Sequence, residues 1–110
     1  MRMDELDELE QLAFAALVGL MVRADGELTS AESEAMARLA TEVGSATFWS
    51  ALSRARHELP EHDDVLRAAA GIKRPEVREW LYGVLVGISA VDGMHATEAS
   101  LLDQLVEAWE

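Results

Sequence analysis

The sequence contains no cysteine, only two prolines and few basic residues. Without cysteine the chain has no disulfide, no thiolate ligand and no thiol nucleophile, a composition that fits a reducing compartment such as the cytoplasm. Nine Lys and Arg residues stand against 21 Asp and Glu residues, for a formal charge of −12. Because that charge repels a phosphate backbone, we predict no binding to nucleic acid, and expect cations, a protein partner or a second copy instead.

Long apolar runs are also absent. The longest one, Leu12 to Val22, has eleven residues and is too short to span a bilayer. The opening MRMDELDELE is acidic and amphipathic, which is the reverse of the order in a secretory signal peptide. We therefore predict no membrane insertion. Half of the 110 residues are apolar, so the whole chain, 1–110, should fold as one domain around a single core.

No segment shows the alternation of a β-strand, and apolar residues recur at three- and four-residue intervals instead. In the first segment this spacing points Leu6 and Leu9 inward and leaves Glu10 on the solvent face. The pattern and its end signals predict helices over about 3–24, 30–43, 45–58 and 63–70, from Pro75 to Asp92, and over about 97–109. The predicted fold class is therefore all-α, a compact bundle of about six to seven helices.

Two similar corners divide these helices. Asp25-Gly26 follows the first helix, and Asp92-Gly93 follows the fifth. Glycine ends a helix easily because it adopts positive φ at least cost. The repeated order of elements predicts two pseudo-repeated helix–Asp-Gly–helix hairpins, about 3–44 and 75–109. Glycines inside the long helices further suggest that these helices cross closely. They are Gly19, Gly83 and Gly87.

Each corner continues toward a glutamate at the start of the next helix. The series from Asp25 to Glu32 matches the second part of an EF-hand loop, but the first ligand positions of that loop would fall on Met21 and Arg23. One corner alone therefore cannot bind Ca²⁺ as an EF-hand does. A turn needs no ion, since Asp accepts backbone hydrogen bonds and Thr29-Ser-Ala-Glu32 is a capping box. Both interpretations, ion site and structural turn, stay open at this point.

The two corners together resemble the TerB-like family, which comprises tellurite resistance protein B and relatives such as the TerB domain of DnaJ-like co-chaperones. The residues that carry this resemblance are Ala24-Asp25-Gly26-Glu27-Leu28 with Ser30-Ala31-Glu32, and Val91-Asp92-Gly93 with Glu98. It implies a helical bundle, no established catalytic chemistry, and paired acidic corners that bind a metal. The implied ligands are Asp25, Glu32, Asp92 and Glu98.

The second corner departs from the first. Glu98 lies six positions after its aspartate, whereas Glu32 lies seven after Asp25. The second corner also carries His95, and an imidazole ligand would favour a transition metal over Ca²⁺. Ca²⁺, Mn²⁺ and Zn²⁺ are therefore all candidate ions. The shorter loop also means that the two halves of the site are not equivalent.

No catalytic constellation is visible, so we predict that the protein is not an enzyme. His57 and His62 flank a glutamate but stand five apart around Pro60, which does not match the helical zinc-protease motif. The leading hypothesis is a TerB-like cytoplasmic binding module that holds a divalent cation in a stress- or tellurite-resistance system. The alternative is a metal-free protein-interaction or oligomerisation domain whose corners are turns. In that case Trp109, close to the chain terminus, is the candidate docking residue, while the other tryptophans are expected in the core.

Overall fold

The computed structural model describes residues 1–23, 29–90 and 96–110, and within these ranges it contains helices and no strand. A 3-10 turn covers Met3–Glu5 and six α-helices follow. They are α1 (Glu8–Val22), α2 (Ser30–Val43), α3 (Ser45–Glu58), α4 (His62–Ala70), α5 (Pro75–Ser89) and α6 (Ala96–Trp109). The all-α prediction and the helix count are confirmed. No helix in the described ranges is both long and apolar enough to cross a membrane.

Helix α1 is the centre of the bundle, and it packs against α3, α4 and α5. Every residue from Leu12 to Gly19 is buried, so the helix has no solvent face over two turns. The ring of Phe14 meets Phe48 of α3 edge-on at 5.9 Å and Trp80 of α5 at 4.8 Å. Burying an aliphatic or aromatic side chain of this size contributes about 1.5–3 kcal/mol to folding. One apolar cluster includes residues from all six helices.

The predicted start of the first helix was wrong. Leu6 has extended backbone angles (φ −102°, ψ 146°), and α1 begins only after Asp7. Asp7 is the N-cap: its Oδ1 accepts a hydrogen bond from the Glu10 amide at 2.8 Å, and its own amide donates to Glu10 Oε1 at 2.9 Å. This capping box satisfies two amides that a continuous helix would have paired differently. The Asp7-x-x-Glu10 pattern that signals it was present in the sequence.

Glu10 is also buried rather than solvent-exposed, and Leu9 is 41% exposed. The reason is a two-pronged ion pair with Arg74, whose Nη2 and Nε lie 2.6 and 2.9 Å from the two carboxylate oxygens. Arg74 Nη2 also donates to the Glu5 carbonyl at 2.9 Å. The hydrogen bonds from Arg74 hold the pKa of Glu10 below its ordinary value of 4.5, although burial partly opposes that shift. The pair ties the start of α1 to the residue that precedes α5.

The remaining helix ends follow local signals. Gly44 separates α2 from α3 and has a φ of 114°, a conformation that favours glycine. Ser45 is the first residue of α3, and Gly44 makes no side-chain cap for that helix. Helix α4 starts at His62, one residue earlier than predicted, where the Glu61 amide donates to Asp64 Oδ2 at 3.2 Å. Pro75 opens α5 as predicted.

The three helix glycines have different surroundings. A methyl group on Gly19 would lie 3.1 Å from Leu52 Cδ1 of α3, so α1 and α3 do approach closely there. At Gly83 and Gly87 an added methyl group would meet no atom of a described residue within 4 Å. The prediction of a close crossing is therefore wrong for the two glycines of α5. Helix α5 packs against α1, α2 and α6 by other residues, and the duplication of the two hairpins stays a hypothesis from sequence.

We expect Glu10→Gln to destabilise the protein by about 2 kcal/mol at pH 7, because it removes a buried charge-assisted hydrogen-bond pair. Glu10 has a depressed pKa in the folded state, so its stabilising contribution is complete above about pH 4.5 and is lost as pH falls through the lowered folded value. Urea unfolding at several pH values measures this. The difference from the parent protein should shrink below pH 4.5.

Glu8→Gln is the matched control, because Glu8 also contacts an arginine, Arg54 at 3.1 Å, but its side chain is 79% exposed. We expect a change of less than about 0.5 kcal/mol for this variant. Equal losses in the two variants, or a Glu10→Gln loss that does not depend on pH, would contradict the account of the buried pair.

We expect Gly83→Ala and Gly87→Ala each to stabilise the protein by about 0.5–1 kcal/mol, because alanine lowers the entropy cost of the helix and the new methyl group has open space. Gly19→Ala should gain less or lose stability, since its methyl group would press on Leu52. Thermal unfolding of the three variants checks the ranking. Destabilisation at Gly83 and Gly87 would show that this face of α5 is covered in solution.

Candidate functional site

The five candidate ligands divide into two groups. Asp25, Asp92 and His95 lie outside the described residues, which also exclude the Gly26 and Gly93 turns. Glu32 and Glu98 lie inside helices α2 and α6. The geometry available for the proposed ion site is therefore that of the two glutamates and of the helices around them.

Glu32 is positioned by the predicted capping box. Thr29 is the N-cap of α2, with φ −78° and ψ 163°, and its Oγ1 accepts from the Glu32 amide at 3.1 Å. The Thr29 amide in turn donates to Glu32 Oε1 at 3.3 Å. These bonds fold the glutamate side chain back over the first turn of α2, where its exposed fraction is only 4%. Among the described residues no basic side chain forms a salt bridge with Glu32.

Glu98 occupies the corresponding position in α6. It is the third residue of that helix, which begins at Ala96, as Glu32 is the third residue of α2, which begins at Ser30. Its exposed fraction is 3%. A carboxylate in the first turn of a helix is favoured by the helix dipole, and this holds for both glutamates.

Burial sets these two glutamates apart from the other acids. Within the described ranges three acidic residues are buried, namely Glu10, Glu32 and Glu98. Burying a carboxylate is costly unless it is hydrogen-bonded or paired with a cation. Arg74 supplies the cation for Glu10. The other two buried acids, Glu32 and Glu98, follow the two Asp-Gly corners in sequence. Both were predicted as metal ligands from the sequence pattern.

The described side chains alone do not make a metal site. No group of three or more His, Asp or Glu side chains in these parts of the chain is arranged to hold an ion. The donor chemistry nevertheless fits one, because carboxylate oxygens suit Ca²⁺ and Mn²⁺ and an added imidazole would suit Zn²⁺. A complete ligand set requires Asp25 and Asp92 in addition to the two buried glutamates.

A cavity of about 400 Å³ lies between α1, α4 and the first half of α6. His62 lines it, with Nε2 at 2.7 Å from Oε1 of Gln104. His57 belongs to α3, so the two histidines lie on separate helices, as expected from the break at Pro60. The described lining also includes the hydroxyl side chains of Thr97 and Ser100 and the apolar side chains of Leu20 and Leu101.

The tryptophans differ from the sequence-based expectation. Trp109 was the candidate docking residue of the metal-free alternative, but its Nε1 donates to the Ala69 carbonyl at 2.7 Å and the Arg78 guanidinium lies 5.7 Å from the centre of its ring. Trp80 packs against the core as predicted. Trp49, expected in the core, is 44% exposed on α3. The exposed aromatic residue was missed because Phe48, its neighbour in sequence, takes the buried position on that helix.

Comparison with known proteins agrees with this arrangement of helices and corners. A family model described as tellurite resistance protein TerB matches residues 11–109, nearly the whole chain. No curated protein and no solved structure matches the chain at a significant level. The matched range includes both acidic corners and all six helices apart from the first turn of α1. The chain therefore belongs to the tellurite resistance protein TerB family.

Proposed function

We propose that this TerB domain is a non-enzymatic binding module that holds one divalent cation between its two acidic corners. Asp25 and Glu32 would supply oxygen ligands from the first corner, and Asp92 and Glu98 from the second. The observation that carries the proposal is the burial of Glu32 and Glu98 at the same position of two helices, with exposed fractions of 4% and 3%.

Electrostatics supports a cation at this place. Each aspartate follows the C-terminal end of a helix, where the helix dipole disfavours a negative charge by about 0.3–1 kcal/mol. Each glutamate is removed from water a few residues later. A divalent cation would neutralise these carboxylates together, so binding would offset the cost of placing four acidic groups at two turns.

The packing of the helices is compatible with one shared site. Helix α1 leads into the first corner and α2 leaves it, while α5 and α6 flank the second. Helix α5 contacts α1, α2 and α6, so all four of these helices form one packed group. An ion bound by both corners would link α2 to α6. Its binding would therefore change how the two hairpins pack against each other. Such coupling is the basis of a metal-responsive module.

The cellular setting of this proposal follows from the family and the composition. The family description suggests a tellurite-resistance or related stress system. The absence of cysteine fits a reducing compartment, so we place the module in the cytoplasm. Its output would be a protein contact that depends on the bound ion.

The metal-free alternative also has an observation in its favour. The Thr29–Glu32 capping box gives Glu32 a structural role without any ion. In addition, a largely apolar surface groove of about 350 Å³ between α5 and α6 includes Tyr82 and Val106. A pure interaction domain would keep both features. It would not bind a divalent cation at the corners.

We expect calorimetric titration of chelator-treated protein with Ca²⁺, Mn²⁺ and Zn²⁺ to show saturable binding of one ion per chain. Asp25→Asn/Asp92→Asn should abolish this binding because it removes one carboxylate from each corner. Glu34→Gln is the control: it removes an exposed carboxylate of α2 that is not a proposed ligand, and it should leave the ion affinity within about threefold. Absence of binding to the parent protein would leave the metal-free alternative.

His95→Ala separates the candidate ions. If the imidazole is a ligand, this variant should lose more than about tenfold in Zn²⁺ affinity, while Ca²⁺ affinity changes little because Ca²⁺ selects oxygen ligands. Zn²⁺ affinity of the parent protein should then fall as pH is lowered, because a metal ligand must be a neutral imidazole. Unchanged affinities for all three ions would exclude His95 from the ligand set.

A further inference from the structure

Two neighbouring cavities share a pair of arginines on the side of the bundle formed by α1 and α3. Arg23, which follows the last residue of α1, and Arg56, in the last turn of α3, line both of them. The larger cavity, of about 580 Å³, also opens onto α2, and the smaller one, of about 110 Å³, reaches α4. We call this continuous surface the arginine groove.

The charge of the arginine groove is opposite to that of the protein. The chain carries 21 acidic and nine basic residues, yet none of the described residues lining these two cavities is Asp or Glu. Two other arginines are neutralised internally: Arg54 lies 3.1 Å from both Glu8 and Glu58, and Arg74 pairs with Glu10. Arg23 and Arg56, like Arg2, Arg38 and Arg78, form no salt bridge with a described residue. The described lining of the groove therefore carries positive charge only.

Arg23 has a structural role at the end of α1. A cation near a helix C-terminus is favoured by the dipole, and Arg23 Nε donates to the Gly19 carbonyl at 3.0 Å. This bond keeps the guanidinium against the end of α1. It does not involve Arg56, which lines the same two cavities. An anionic ligand in the groove would supply a counter-charge to both arginines.

The larger cavity also has apolar walls. Trp49 is the most exposed large apolar side chain among the described residues, at 44%, and it lines the cavity with Met36 and Leu52. Its ring is held edge-on against buried Phe48 at a centroid distance of 5.1 Å. Tryptophan and arginine are the residue types that contribute most to protein-protein binding, and here they stand together. The groove therefore suits a ligand that combines negative charge with an apolar side chain.

We propose that the arginine groove binds an acidic segment of a partner protein, with carboxylates against Arg23 and Arg56 and an apolar side chain against Trp49. A short segment meets the local positive potential, because charges more than about 8 Å away are largely screened at physiological ionic strength. A nucleic acid would extend across the surrounding surface of a chain with charge −12 and would be repelled. The proposal does not depend on the ion site.

The test is an NMR titration of ¹⁵N-labelled protein with a synthetic acidic peptide of about ten residues, glutamates around two central leucines, up to about 2 mM. Chelator is present throughout, so the ion site plays no part. We expect saturable shifts confined to the Trp49 indole and to amides around Arg23 and Arg56, with the Trp80 and Trp109 indoles unchanged. Analogues with Gln for Glu, or Ser for Leu, should bind at least about fivefold more weakly.

Variants assign the contacts. Arg56→Ala and Trp49→Ala should each weaken peptide binding by at least about fivefold, and both changes are at exposed side chains. Arg38→Ala is the matched control, because Arg38 is an exposed arginine on α2 that does not line either cavity. It makes the same change in net charge and should leave the dissociation constant within about twofold.

Several results would overturn the proposal. One is the absence of shifts at the Trp49 indole with about 2 mM peptide. Others are equal weakening by Arg38→Ala and Arg56→Ala, which would mean a response to net charge alone, and equal binding of the Gln analogue. Tighter binding of an oligothymidylate of similar charge at the same residues would assign the groove to single-stranded nucleic acid instead.

Discussion

The burial of α1 on all sides is the constraint on which the rest of this structure depends. Eight consecutive residues, Leu12–Gly19, have no solvent face, so other helices must surround them. Helices α3, α4 and α5 do so directly, while α2 and α6 complete the bundle by packing on them. Because a central helix must leave the core at its end, the first Asp-Gly corner begins where α1 emerges.

The acidic residues divide into a large exposed group and a small buried group. The chain keeps most of its acids in water, and the three buried acids of the described ranges all lie in the first turn of a helix. Glu10 is neutralised by Arg74, which fastens the start of α1 to the start of α5. Glu32 and Glu98 instead follow the two acidic corners in sequence. One buried carboxylate therefore has an internal arginine as its counter-ion, and we propose that the other two are ligands of one bound cation.

Much of the fold could be predicted from local sequence signals. Thr29 and Glu32 fixed the start of α2, Gly44 its end and Pro75 the start of α5, since each acts through backbone geometry within a few residues. The errors arose where distant residues decide. Glu10 is buried because it pairs with Arg74, which is 64 positions away in sequence. Trp49 is exposed because its neighbour Phe48 is the residue of α3 that packs against Phe14. Helical periodicity alone could not indicate that Gly83 and Gly87 face open space rather than another helix. For the candidate site, the sequence pattern indicated Glu32 and Glu98 as ligands. Their burial depends on how the helices pack and is seen only in the structure.

The central claim is that both corners hold the same ion. Native mass spectrometry of chelator-treated protein reloaded with Mn²⁺ tests it most directly, because it counts ions per chain. The account predicts one ion in the parent protein, and loss of that ion both in Glu32→Gln and in Glu98→Gln, since each corner needs the other. Two ions per chain, with each substitution removing only one of them, would contradict a shared site, as would a protein that retains no ion at all.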